Sequence, residues 1–231
     1  MKRSSFLLLL PLFLIGWQIP SASAQKGVQV QLVGGAQNTW MFNNDDSDAG
    51  DHLDYQPTFG PHYGVRTGYF FTENIGVETG YVLFKHGQKY KHTLKTGSKE
   101  ETFHSERILS YAKIPLLFHF RSQPGKTAFF TVIVGPQISM MNSLSTSSDG
   151  KIVKGIWGGS DAYASTTTDV VLGFGPGFSL SDKLKLDLHF RFDYSFTDAE
   201  NKKADHWDDE RPITNNASGG LQLGLTYGIG G

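Results

Sequence analysis

Residues 184–196 alternate apolar and polar side chains without interruption. Leucine, phenylalanine or tyrosine occupies every even-numbered position, and a charged or polar residue occupies every odd-numbered position. The pattern predicts one β-strand, and at about 3.3 Å per residue it is roughly 40 Å long, beyond the usual strand of about five or six residues. A membrane-spanning barrel strand has this length and alternation. A half-buried strand of a soluble sandwich or lipocalin-like barrel alternates in the same way, so this segment alone leaves both folds open.

The N-terminus has the pattern of a secretory signal peptide. Two basic residues precede an apolar run at residues 6–16, and Ala22-Ser23-Ala24 has the small-x-small form of a cleavage site. We therefore expect residues 1–24 to be removed on export and residues 25–231 to form one domain. The apolar run is shorter than the roughly 20 residues of a transmembrane helix. The chain has no cysteine, which argues against a disulfide-stapled secreted module and suits a bacterial envelope protein.

Further alternating segments recur along the chain between turn residues, and no helical periodicity competes with them after the signal peptide. Together with the first segment they predict an all-β chain of eight strands. The predicted bounds are 28–36, 59–71, 75–85, 107–121, 127–140, 168–180, 184–196 and 221–229.

The connections between these strands alternate strictly between short and long. Three are tight turns, at residues 72–74, 122–126 and 181–183. Bacterial outer-membrane barrels have short periplasmic turns, long extracellular loops and an even number of strands. The sequence therefore predicts an eight-stranded antiparallel up-and-down transmembrane β-barrel in the outer membrane, with periplasmic termini and extracellular long loops. The predicted loops are residues 37–58, 86–106, 141–167 and 197–216.

Aromatic residues make up 13% of the chain and cluster near predicted strand ends. Such clusters are typical of the aromatic girdles of membrane barrels, although a sandwich core also contains aromatic clusters. The predicted girdle residues are Tyr69, Phe70, Phe71, Phe118 and Phe120 near the short turns, and Phe192, Tyr194 and Phe196 at the opposite rim.

The predicted inner face carries charges of both signs. The interior of an eight-stranded barrel is just wide enough for side chains to fill, and a charge away from bulk water is costly unless it is paired. We therefore expect a polar network that plugs the lumen, with Arg66 diagonal to Glu78 across the turn at residues 72–74. A narrow conduit for ions or a small solute is the alternative. The predicted network is Arg66, Glu78, Lys113, His119, Asp187, His189, Arg191 and Asp193, with Arg121, Asp169 and Lys185 on the same face.

Residues 111–118, YAKIPLLF, resemble a characteristic strand of the outer-membrane β-barrel domain that is common in the Bacteroidota, a group of families that includes the PorT-like proteins. Gly-Pro pairs inside strands, at residues 60–61, 135–136 and 175–176, fit the same resemblance. It covers the chain from about residue 25 onward and implies the barrel fold and the outer membrane. The PorT resemblance implies a role as a subunit of a secretion or transport machine.

Residues that could carry other chemistry are few. His104, Ser105 and Glu106 are hydrolase residue types, but adjacent strand residues point to opposite faces, so the triplet cannot form a triad by itself. A lipid-modifying barrel enzyme stays an alternative. Five aspartates near Gly50 resemble a loose calcium loop without its closing glutamate, so a solvated acidic loop is the favoured interpretation. These aspartates are Asp45, Asp46, Asp48, Asp51 and Asp54.

The predicted loops differ in charge: the second is basic and the first and fourth are acidic. Basic loops suit contact with lipopolysaccharide phosphates, although solvated loop surface is the favoured interpretation. The sequence therefore predicts an integral outer-membrane protein with a structural or interaction role and with no catalytic residue, cofactor or metal site. The expected partners are outer-membrane lipid, lipopolysaccharide and other envelope or secretion proteins, and not nucleic acid, since the net charge is only −1.

Overall fold

The computed structural model describes residues 26–96, 99–123, 126–152, 158–204, 206–207 and 210–229. The predicted signal peptide lies outside these residues. Among the described residues, no helix is long and apolar enough to span a membrane. A five-residue helix, α1 (Asn44–Asp48), follows the first strand. The strands are β1 (Gly27–Phe42), β2 (Asp54–Gln56), β3 (Phe59–Phe70), β4 (Ile75–Thr96), β5 (Lys99–Arg121), β6 (Ala128–Ser148), β7 (Lys151–Ile152), β8 (Thr166–Ser179), β9 (Leu184–Ser195) and β10 (Asn215–Ile229).

Eight long strands form a closed ring in the order β1-β3-β4-β5-β6-β8-β9-β10. Every neighbouring pair is antiparallel. The first and last strands close the ring with a ladder from Val28 paired with Ile229 to Phe42 paired with Asn215. Closure satisfies the backbone of every long strand, which a membrane requires because its interior offers no water. The prediction of an eight-stranded antiparallel up-and-down barrel is confirmed, and short β2 and β7 pair with β4 and β6 outside the ring.

The two ends of the barrel differ. At one end, which we name the turn end, the strands are joined by the short connections 71–74, 122–127 and 180–183, and β1 begins and β10 finishes there. At the other end, the loop end, lie the connections 43–58, 149–165 and 196–214 and the tip of the β4–β5 hairpin. This is the asymmetry that the alternating connection lengths predict.

Several strands are longer at the loop end than the sequence predicts. The predicted loop at residues 86–106 is wrong, because β4 and β5 stay paired as far as Thr96 and Lys99. β6 likewise extends to Ser148, β1 extends to Phe42, and β10 already begins at Asn215. Most outward positions of the β4, β5 and β6 extensions carry polar side chains, so the apolar alternation that identifies a membrane-facing strand is absent there although the β-pairing continues.

The barrel wall is apolar outside and polar inside. Large apolar side chains on the outer face, such as Leu32, Val65 and Leu223, are exposed, whereas most inward positions are buried and many are polar. Seven of the eight predicted girdle residues point outward. Phe70 does not: its side chain is 1% exposed and lies under the guanidinium of Arg121, 3.8 Å from the ring centroid.

Glycines on the inner face make room for large neighbours. A Cβ atom on Gly177 would lie 2.2 Å from the ring of Phe129, and one on Gly173 would lie 2.7 Å from the side chain of Ile133. Neither distance is possible between real carbon atoms, so side chains from the facing strand occupy this space. The interior of the barrel is therefore packed with side chains.

Candidate functional site

The inward-facing polar side chains form three clusters along the barrel, and we define each cluster by the contacts among its members. All eight residues of the predicted lumen network lie in the first two. The turn-end cluster contains Gln29, Gln31, Arg66, Glu78, His119, Arg121, Thr131, Lys185, Asp187, His189 and Thr226. The central cluster contains Lys113, Gln137, Ser139, Asp169, Arg191, Asp193 and Gln222. The cap cluster, at the loop end, contains Asp46, Tyr90, Arg107, Tyr163, Glu200 and Arg211.

Arg66 and Glu78 begin the turn-end cluster. Glu78 is paired directly with Gly68, and Arg66 with Gly80, so the two charged residues are diagonal neighbours on β3 and β4. Their closest atoms, Arg66 Nη1 and Glu78 Oε2, are 3.7 Å apart. The other oxygen of Glu78 contacts Nδ1 of His119 on β5. The pair is therefore extended across three strands.

The turn-end cluster continues across the barrel through Gln31. Its side-chain oxygen accepts a hydrogen bond from Arg66, and its Nε2 donates to Asp187 Oδ2 at 2.9 Å. His189, two residues farther along β9, contacts the hydroxyl of Thr131 on β6. The rings of His189 and His119 lie 6.2 Å apart, so side chains from opposite parts of the wall approach each other inside the barrel.

Lys113 joins two carboxylates in the central cluster. Its Nζ lies 3.1 Å from Asp193 Oδ2 and 3.4 Å from Asp169 Oδ2. All three side chains are almost completely buried. An ammonium group in this position offsets the repulsion between two carboxylates that face each other from β8 and β9.

Arg191 extends the central cluster to two more strands. Its Nε donates to Asp193 Oδ1 at 2.7 Å, and its two terminal nitrogens donate to Gln137 Oε1 at 2.8 Å and to Gln222 Oε1 at 3.0 Å. Because Gln137 is on β6 and Gln222 is on β10, the central cluster links five strands through the lumen. The predicted network does not include the two glutamines, because it is drawn from charged residues and histidines, although both glutamines lie on the predicted inner face.

The cap cluster is a site that the sequence does not predict. Arg107 on β5 is 0% exposed, and its Nη2 donates to Asp46 Oδ2 at 3.3 Å while its Nη1 donates to Glu200 Oε1 at 3.4 Å. Arg211 binds the same two carboxylates, Nη2 to Asp46 Oδ1 and Nε to Glu200 Oε2, both at 2.8 Å. The hydroxyl of Tyr90 accepts from Arg107 and donates to Asp46.

The cap cluster joins charges that the sequence distributes over separate loops. Asp46 belongs to the acidic first connection, Arg107 to the basic second segment, and Glu200 and Arg211 to the fourth connection. Part of the predicted surface polarity is therefore neutralised inside the protein. Beneath these ion pairs, apolar side chains close the loop end: Met41, Phe84, Leu109, Tyr111, Ala162, Tyr163 and Ala199.

The charges of the cap act on the pKa of Glu200. Burial alone raises the pKa of this carboxyl group, but hydrogen bonding to Arg211 and the charges of Arg107 and Arg211 outweigh burial and lower it below its ordinary value of 4.5. The same contacts raise the pKa of Arg211 against the opposing effect of burial. Glu200 is therefore ionised at neutral pH, as its ion pairs require.

The residues considered for catalysis do not converge. His104 and Glu106 lie on the outer face of the hairpin, whereas Ser105 is on the inner face and shares a hydrogen bond with His92 Nε2 at 2.6 Å. Among the described residues, no group of three or more histidine or carboxylate side chains could hold a metal ion. Of the calcium-loop candidates, Asp46 is used by the cap, and the side chain of Asp51 lies outside the description.

Three solved structures match most of the chain, each with a TM-score below 0.5. OprG from Pseudomonas aeruginosa matches with a TM-score of 0.47 and 10% identity over 91% of this chain and 100% of its own. Neisserial surface protein A matches with a TM-score of 0.44 and 15% identity, over 88% and 97%. Ail of Yersinia pestis matches with a TM-score of 0.40 and 13% identity, over 88% and 100%.

Sequence comparison identifies the family. No curated protein matches the chain. The family model described as "Outer membrane protein beta-barrel domain" matches residues 7–229, nearly the whole chain. This match confirms the predicted cellular location. The chain belongs to the outer membrane protein beta-barrel domain family, and its strands cross the outer membrane.

Proposed function

We propose that this protein is a closed barrel with a structural or interaction role in the cell envelope. The observation that carries the proposal is the central cluster, in which Lys113, Arg191 and their partners link five strands across the lumen. Such a network fills the cross-section through which ions would have to pass. The cap supports the proposal because Arg107 and Arg211 hold two connections over the loop end.

A flux assay tests the closed barrel. The full chain is reconstituted into liposomes that contain an ion-sensitive dye, and its folded state is checked by faster migration in SDS gels before boiling. We expect ion influx equal to that of protein-free liposomes. An influx that rises with the amount of folded protein contradicts the proposal and favours the narrow pore.

We further propose that the loop end faces the cell exterior. The general asymmetry of outer-membrane barrels supports this orientation, because their long connections are extracellular. Epitope tags inserted within the connection 149–165 should bind antibody on intact cells. Tags inserted in the turn at residues 122–126 should bind antibody only after the outer membrane is permeabilised. The opposite pattern overturns the orientation.

Lipopolysaccharide is the partner that the outer surface near the loop end supports best. Exposed Lys85 lies beside Tyr63 and Leu83 on the outer face, next to the aromatic and apolar side chains of the membrane-facing wall. An ammonium group at this level is placed to contact lipid phosphates. Purified Lys85→Gln protein should retain less lipopolysaccharide than the wild type, whereas Lys183→Gln at the turn end should retain the same amount. Equal retention by all three proteins contradicts the contact.

A second candidate function is a subunit of a secretion or transport machine. The β4–β5 hairpin supports it, since it extends beyond the ring and offers a surface to another protein. The resemblance of residues 111–118 to PorT-like barrels supports it as well. Secretion components should then co-purify with the wild type and not with a variant that lacks the hairpin beyond residues 90 and 105. If the same proteins co-purify with both, this role of the hairpin is excluded.

We propose no enzymatic activity. Ser105 and His92 form a hydrogen bond on the inner face of the hairpin, away from the lipid-facing rim where a lipid-modifying site needs them. Lipid hydrolysis or acyl transfer by the purified protein that is lost in Ser105→Ala contradicts this statement.

A further inference from the structure

The three clusters differ in their balance of charge. With histidines neutral, the central and cap clusters each contain equal numbers of cations and carboxylates, whereas the turn-end cluster contains one cation more than its carboxylates. The charged residues are Lys113 and Arg191 with Asp169 and Asp193 in the centre, Arg107 and Arg211 with Asp46 and Glu200 in the cap, and Arg66, Arg121 and Lys185 with Glu78 and Asp187 at the turn end. The excess positive charge therefore lies at the turn end.

Arg121 and Lys185 form no ion pair within the described residues. Arg66 is paired with Glu78, but among the described residues no carboxylate oxygen lies within 4.0 Å of Arg121 or Lys185. Lys185 is 4% exposed, and its Nζ is buried without a hydrogen-bond partner in the described structure. Asp187 lies on the same face of β9; its Oδ2 accepts hydrogen bonds from Gln31 and Thr226, and its Oδ1 has no hydrogen-bond partner in the described structure.

Arg121 is positioned for a ligand in the same way. Its Nη2 donates to Gln29 Oε1 at 2.7 Å, its guanidinium packs on the ring of Phe70, and its Nε has no hydrogen-bond partner in the described structure. Both cations lie at the turn end of the barrel, because Arg121 is the last residue of β5 and Lys185 is the second residue of β9, and both are buried. Two like charges that repel each other in a buried site are costly unless an anion lies close to both.

We propose that Arg121 and Lys185, with Gln29, bind a small oxyanion such as phosphate or a carboxylate at the turn-end mouth of the lumen. Both cations have only donors, and an oxyanion supplies the negative charge and the acceptor oxygens that they lack. The rings of Phe70 and Phe129 lie beside Arg121 and limit the size of the ligand. The site opens to the periplasm in the orientation proposed above, but its existence does not depend on that orientation or on a closed lumen.

Isothermal titration of the full chain in non-ionic detergent tests the site, with inorganic phosphate or acetate as the probe and with ionic strength held constant by chloride. We expect saturable one-to-one binding, and the probe that binds distinguishes phosphate from carboxylate. Lys185→Gln and Arg121→Gln should each weaken binding at least tenfold. Lys183→Gln, an exposed residue of the adjacent turn, is the matched control and should bind like the wild type. Binding of neither anion, or equal loss in the control, overturns the proposal.

Thermal unfolding separates an anion site from a merely structural lysine. Without phosphate or acetate, Lys185→Gln should be at least as stable to heating as the wild type, since the substitution removes a buried charge without a partner. The anion that binds should raise the unfolding temperature of the wild type and not that of Lys185→Gln. A variant that is less stable than the wild type under both conditions by the same amount shows that Lys185 has a partner within the protein, and it contradicts the site.

Discussion

Arg107 and Asp46 are separated by 61 residues in the chain, yet Arg107 Nη2 lies 3.3 Å from Asp46 Oδ2 at a completely buried position of the loop end. The same guanidinium reaches Glu200, 93 residues away. One strand residue thus holds two long connections over the lumen. Arg211 repeats both contacts from the outer side.

Replacement of Arg107 should open the cap without unfolding the barrel. Loss of one partner of a buried ion pair costs about 3–5 kcal/mol, because the remaining charges are left unpaired. Arg107→Gln should therefore be cleaved faster by protease in the connections 43–58 and 196–214 while the strands stay protected. Lys89→Gln is the control, because Lys89 is 47% exposed and its pair with Glu106 is worth only about 0–1 kcal/mol. Equal cleavage of the two variants contradicts the role of Arg107.

The cap should also respond to acid. The pKa of Glu200 is lowered in the folded protein, so its ionised form contributes stability above its ordinary value of 4.5, and this contribution is lost as the pH falls through the lowered value. Protease cleavage of residues 196–214 should be constant from about pH 8 to 5 and should increase below about pH 4.5. Glu200→Gln should be cleaved faster at neutral pH and should show a weaker acid response. An acid response of the same size in this variant assigns it to another group.

The central cluster gives a prediction for a pair of substitutions. Lys113→Met removes the ammonium group between Asp169 and Asp193 and should lower the free energy of unfolding by about 3–5 kcal/mol. Asp169→Asn in the same chain should recover part of the loss, because it removes one of the two unpaired carboxylates. The measurement is urea-dependent folding in lipid vesicles, followed by gel mobility. If the two effects simply add, Lys113 and Asp169 are not coupled.

The two faces of β9 give a further prediction. Leu188 points outward and His189 inward. Leu188→Arg should lower the free energy of unfolding in vesicles by about 2–4 kcal/mol, since it exposes a charge to hydrocarbon. His189→Gln should be tolerated, because glutamine can still form a hydrogen bond with Thr131. Equal damage by both substitutions contradicts the assignment of the faces.

The residues that the sequence predicts best are those on alternating strands in the membrane. The period of two places Asp187, His189, Arg191 and Asp193 on one face, because the side chains of a strand alternate by geometry. Phe70 shows the limit of composition: its position near a turn predicts a girdle residue, whereas its place in the alternation of the strand predicts an inward side chain, as the structure has it. The alternation of inward and outward side chains along the strand is sufficient to predict that Phe70 points inward.

The cap could not be predicted in the same way. Its contacts join residues in irregular connections, where no period links sequence to direction, and the pairing of Arg107 with Asp46 and Glu200 depends on closure of the whole ring. The polar ends of β4, β5 and β6 escaped prediction because water, rather than lipid, surrounds them, so apolar alternation is not required. The opposite charges of the predicted loops are consistent with contacts between them, but they are interpreted as solvated surface in the sequence analysis.

The most direct test of the closed barrel is current recording from planar bilayers that contain the folded wild-type protein and, separately, His189→Gln. We expect no steady current step above that of the bare bilayer for either protein, since the central cluster and the cap stay in place. A steady ion channel in the wild type whose conductance changes in His189→Gln would show an open path past His189 and would contradict the closed lumen.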